Sequence, residues 1–111
     1  MEVKLFDSLE EANHLLAENK PTLVRANGKN ICIVNRGKEL LAFDNECPHQ
    51  GESLHKGRIN YLGEIVCPLH SYRFSLMNGE TSSPCKSLRF IPIIIRDAVY
   101  LELNPIPNGK T

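Results

Sequence analysis

The chain has 111 residues, with 13 basic and 13 acidic side chains in balance, and 41% of its positions are hydrophobic. That length suits one domain, spanning residues 1–111, with a small core. A net charge of zero excludes the basic footprint that nucleic-acid binding requires, and the longest apolar run, Phe90 to Ile95, contains Pro92 and falls far short of the roughly 20 residues that span a bilayer.

Helix signals come first. Ser8 suits an N-cap, Glu11 stands three residues on as its capping-box partner, and Leu9, Ala12, Leu15 and Leu16 recur at helical spacing before Asn19-Lys20-Pro21. This predicts one short amphipathic helix over about 9–18. From Thr22 onward the pattern is that of strands. Thr22–Ala26 and Ile31–Val34 flank Asn27-Gly28-Lys29-Asn30, a hairpin turn by composition. Arg36-Gly37-Lys38 makes the next turn before Leu40–Phe43. Arg58–Tyr61, a turn at Leu62-Gly63 and Glu64–Val66 follow. Tyr72–Leu76 and a last hairpin, Arg89–Ile95 with Ala98–Leu103, complete the set. Short strands at regular spacing with polar turns predict an all-β sandwich or barrel. The polar tail, residues 104–111 with two prolines, is expected to fray.

Two short runs stand out, Cys47-Pro48-His49 and Cys67-Pro68-Leu69-His70, with 17 residues between His49 and Cys67. Both follow predicted strands and so lie in loops held by a rigid sheet. Met1–Asp7 is too charged for a secretory leader, so the expected compartment is the cytoplasm. There thiols stay reduced, and clustered Cys and His read as metal ligands sooner than as disulfides. Two thiolates and two imidazoles in matched pairs fit a [2Fe-2S] centre with Cys on one iron and His on the other. Such a unit is neutral when oxidised, whereas four thiolates would make it a dianion. Adding an electron to it therefore costs less, which raises its potential above that of an all-Cys cluster. The alternative is a structural zinc module of two Cys and two His. Common zinc fingers, however, group Cys with Cys and His with His, and here each run mixes them.

These runs resemble the two boxes of the Rieske family, Cys47-Pro48-His49-Gln50-Gly51-Glu52-Ser53-Leu54 and Cys67-Pro68-Leu69-His70-Ser71-Tyr72-Arg73-Phe74. The resemblance reaches from Thr22 to about Leu103. It implies a Rieske-like antiparallel fold with a small cluster-binding subdomain over about 45–85. It also implies Cys47 and Cys67 on the inner iron and His49 and His70 on the outer, more exposed one. Ser82-Ser83-Pro84 is similar to the family's proline loop. High-potential members carry an extra disulfide between the two loops, and the corresponding positions are Glu52 and Leu69 here. Those members also place Ser and Tyr hydroxyls near the cluster sulfurs, where this chain has Tyr72 and Phe74. Fewer hydrogen bonds to sulfur imply the lower end of the family's potential range.

The resemblance implies a one-electron carrier, with no catalytic residues of its own. Its expected partners are an NAD(P)H-dependent reductase and a terminal oxygenase, and it is expected to be monomeric when free. The alternative is the small subunit of an NAD(P)H nitrite reductase-like complex. An attached mononuclear iron site would need two further His and a carboxylate in another domain, and only His14 and His55 remain. His14 is expected to face solvent from the helix, and His55 to be a surface residue of a polar loop. Cys32 is expected to serve as a small hydrophobe in a strand, and Cys85 to have no ligand role. Glu46, Glu52 and Lys56 flank the loops, and Gly51 permits a tight turn there.

Overall fold

A computed structural model describes residues 1–103 apart from Lys38, so the tail expected to fray lies outside the described residues. Eleven elements follow one another: β1 (Glu2–Phe6), α1 (Leu9–Leu15), β2 (Thr22–Ala26), β3 (Lys29–Asn35), β4 (Leu40–Asp44), a single 3-10 turn (Leu54–Lys56), β5 (Arg58–Ile59), β6 (Glu64–Val66), β7 (Arg73–Ser75), β8 (Ile93–Ile95) and β9 (Val99–Glu102). The strands form three antiparallel sheets of three, in the orders β1-β9-β8, β2-β3-β4 and β5-β6-β7. This is the all-β architecture with one short helix that the strand pattern predicts. No helix among the described residues is long and apolar enough to cross a membrane.

Local sequence explains most of these boundaries. Asn27 and Gly28 both have positive φ (51° and 80°), which closes the β2–β3 hairpin with a turn whose twist matches its strands. Ser8 caps α1, accepting the Glu11 N–H at 3.0 Å, while the Glu11 carboxylate reaches back to the Asp7 N–H at 2.8 Å. The helix stops at Leu15, three residues before the predicted end, because the extended Leu16 gives its carbonyl to the Nδ2 of Asn35, a buried residue on β3, at 2.9 Å. Strand β1 is absent from the sequence-based expectation. Val3 and Leu5 alternate with the exposed Glu2 and Lys4, and β1 pairs with β9 through Glu2↔Glu102 and Val3↔Leu101. Strand β5 is shorter than expected, since Asn60 turns the chain by accepting the Leu62 and Glu64 N–H groups through Oδ1.

Strand β3 is the partition of the molecule. Its run from Ile31 to Asn35 is buried on both faces, so it reads as a continuous apolar segment rather than an alternating one. Side chains alternate across a strand, and Ile31 and Ile33 enter one core with Ala12, Leu40, Val99 and Leu101. Cys32 and Val34 enter the other, with Phe43, Leu54, Ile65 and Phe74. The second core carries Cys47 and Cys67. Segment 89–91 runs antiparallel along β4, its N–H and carbonyl groups bonded to Ala42 and Asp44, and Phe90 meets Phe43 edge-on at 6.1 Å. This links the sheet below the two loops to β8 and β9.

Candidate metal centre

The two Cys-Pro runs form loops built to one plan. Cys47 N–H donates to Glu52 O at 2.8 Å, and Cys67 N–H donates to Tyr72 O at 2.8 Å. The fourth residue after each cysteine is left-handed: Gly51 at φ 75° and Ser71 at φ 57°. One step down, Glu46 bridges Ser53 and Val66 pairs with Arg73. Gly51 leaves room for the Glu46 side chain, whose Oε2 would lie 3.2 Å from an added Cβ. His70 is also left-handed at φ 63° (uncommon for a residue with Cβ), so two consecutive strained residues form the tip of the second loop.

The loops separate their side chains by depth. Cys47 and Cys67 are 2% and 1% exposed, His49 is half-buried, and His70 is exposed. The two imidazole rings lie 5.6 Å apart, centroid to centroid. Burial pushes the Cys67 thiol up to about 11. The backbone of Leu69 opposes that shift, and the neighbouring Cys47 thiol adds to it. Two adjacent buried thiols beneath two rim imidazoles form a donor set of two sulfurs and two nitrogens. His49 Nδ1 is buried with no hydrogen-bond partner, which fits a nitrogen whose lone pair is free to bind a metal. Among the described residues no three His, Cys, Asp or Glu side chains gather as they would about a single ion.

The surroundings answer the remaining expectations. Tyr72 lies flat on His49, with ring centroids 3.8 Å apart and planes 15° apart. Phe74 is fully buried in the core beneath. Cys32 is fully buried, and all four cysteines are free. Cys85 packs at the edge of the core that holds Cys47 and Cys67, just beyond Ser82-Ser83-Pro84. His14 is exposed on α1. His55 differs from expectation: it is half-buried and held by Asn45 at the foot of the first loop, with Nδ1 3.1 Å from Asn45 Nδ2 and its N–H 2.9 Å from Asn45 Oδ1. Gly57 matters for a reason the sequence does not reveal. A Cβ there would lie 2.0 Å from Val66 O, so the exit of the first loop nests against the residue before Cys67. A cleft of about 470 Å3 beside His49 carries Asp44 and Glu46 with Lys86 and Arg89, both signs together.

The model of the Rieske [2Fe-2S] domain matches residues 9–92. The chain is 28% identical over 80 residues to the ferredoxin component of an alkene monooxygenase system from Xanthobacter autotrophicus, covering 70% of this chain and 66% of that protein. It is 32% identical over 76 residues to the ferredoxin component of naphthalene 1,2-dioxygenase/salicylate 5-hydroxylase systems from Ralstonia sp, covering 67% of this chain and 72% of that protein. The ferredoxin of carbazole 1,9a-dioxygenase from Nocardioides aromaticivorans IC177 superimposes with a TM-score of 0.73 at 26% identity, covering 91% of this chain and 95% of that one.

Proposed function

The chain belongs to the Rieske [2Fe-2S] domain family, and on that premise we propose that Cys47, His49, Cys67 and His70 hold one [2Fe-2S] cluster in a protein that carries single electrons from an NAD(P)H-dependent reductase to a terminal oxygenase. Membership sets aside the zinc reading of the same ligand types. The observation that carries the ligand assignment is the layered donor set: two adjacent buried thiols, two imidazoles above them, and a partnerless buried Nδ1 on His49. When bound, the cluster supplies a one-electron couple.

The chain's own residues provide the rest. The Cys67 thiol, held near 11 by burial, has to give up its proton when metal takes its place, so loading releases protons and is pH-dependent. Tyr72 screens His49 from solvent, and His70 stands exposed. The imidazole of His70 is therefore the point of closest approach for a partner. Acidic and basic groups beside His49 offset one another, so docking rests on local shape and short-range pairing rather than a long-range field. His14 lies exposed on α1 and His55 is bound to Asn45, and we read the chain as a carrier of electrons for a reaction that another component performs. We further take the chain to be a single, monomeric domain over 1–111 that works in the cytoplasm, a reading its four free thiols support.

Iron and acid-labile sulfide assays on anaerobically purified protein, followed by EPR after reduction, test the proposal. Equal iron and sulfide with a reduced-state signal is the expected result. Colourless protein holding stoichiometric zinc and no sulfide would sink it.

A further inference from the structure

We infer that Asn45 and His55 are positioning residues for the first ligand loop, supplying with side chains the rung that the second loop obtains from a sheet; the inference rests on the cluster reading above. The two loops match position by position. Cys47–Glu52 corresponds to Cys67–Tyr72, the Glu46–Ser53 bridge to Val66–Arg73, and the Leu54 N–H bond to Asn45 O (2.8 Å) to the pairing of Ile65 with Phe74. Below that level the correspondence ends. The second loop continues down β6 and β7 to Glu64↔Ser75. The first has no such strand, because the chain enters the 3-10 turn at Leu54 and leaves.

Asn45 fills that gap. It is 3% exposed, and both ends of its carboxamide are used. Oδ1 accepts the His55 N–H at 2.9 Å, which turns Nδ2 toward the ring of His55, 3.1 Å from Nδ1. An amide nitrogen only donates, so Nδ1 is the acceptor and the ring proton sits on Nε2. The Asn45 backbone is tied as well: its N–H donates to Asn30 O at 3.2 Å, at the β2–β3 hairpin. One buried residue thus fastens the loop that carries Cys47 and His49 to the partition strand at one end and to its own exit at the other. Without the His55 ring, Asn45 Nδ2 is a buried donor without a partner, and such groups are costly to leave unmade.

Hydrogen–deuterium exchange by mass spectrometry on the holoprotein tests this, read separately on segments 45–55 and 65–74, alongside iron loss to a chelator. His55→Ala should speed exchange in 45–55 about tenfold, the effect of one buried hydrogen bond. It should leave 65–74 unchanged and accelerate iron loss. His55→Asn, which sets a carboxamide oxygen near the Nδ1 position, should restore both. Exchange accelerated equally in the two segments, or unchanged in 45–55, overturns the inference, as does failure of His55→Asn to restore slow exchange. Wild-type protein without iron and sulfide would instead strike the cluster reading, leaving the exchange comparison intact.

Discussion

Tyr72 stacks on His49, with 3.8 Å between centroids and 15° between planes, although the two residues belong to different loops. The contact ties the tip of the first loop to the base of the second. It also covers one imidazole and leaves the other free. An offset or stacked aromatic pair contributes about 0.5–1.5 kcal/mol beyond its buried area. Tyr72→Ala should therefore release iron to a chelator a few-fold faster than wild type, and Tyr72→Phe, which keeps the ring, should not. Equal rates for all three would show that the stack holds nothing.

Gly57→Ala should damage the protein more than its position in a surface turn suggests. The new methyl would meet Val66 O, so the two loops would have to move apart. Overpacking of this kind costs about 1–3 kcal/mol. The melting temperature should fall by roughly 5–15 °C and the iron content per chain should drop. A variant with wild-type melting and full iron would mean that the approach of these loops is slack.

The ligand assignment makes a sharp division among five residues. Cys47→Ala, Cys67→Ala and His70→Ala should lose iron and sulfide together, while Cys32→Ala and Cys85→Ala should keep both. His70→Cys, if it loads, adds a negative charge at the centre and should lower the reduction potential. Iron and sulfide analysis with a redox titration decides each case. Retention of a normal cluster and potential in His70→Cys would remove His70 from the ligand set.

Burial raises the Cys32 thiol to about 12 from an ordinary value of 9.0. The folded chain thus holds that proton more tightly than the unfolded one. Its contribution to stability is complete below pH 9 and is lost as pH rises toward 12, by at most about 1.4 kcal/mol per unit. Urea unfolding of wild type and Cys32→Ala at about pH 8 and about pH 10 should show the wild type losing more stability across that interval. Parallel losses in the two proteins would mean that Cys32 does not titrate on unfolding.

Much of this molecule is legible in its sequence, and the exceptions have a common cause. The β2–β3 hairpin follows from Asn27-Gly28, the α1 cap from Ser8 and Glu11, and the grouping of Cys47, His49, Cys67 and His70 from two near-repeated runs. Strand β1 carries its own signal, the alternation of Val3 and Leu5 with Glu2 and Lys4, which its charge obscures. The end of α1 is decided by Asn35, nineteen residues after Leu16. The nesting of Gly57 on Val66 and the stacking of Tyr72 on His49 likewise join residues that no local pattern relates. Local propensity and spacing can be read along a chain. A contact between a glycine and a distant carbonyl exists only once the chain has folded.

The nesting of Gly57 against Val66 also bears on how the two cysteines come to share one site. Cys47 hangs from the β4 side of the molecule and Cys67 from β6, and their thiols are neighbours where the exit of the first loop rests on the residue that precedes the second. On the proposed ligand assignment, a change that parts Gly57 from Val66 would show as loss of colour, although neither residue is a ligand.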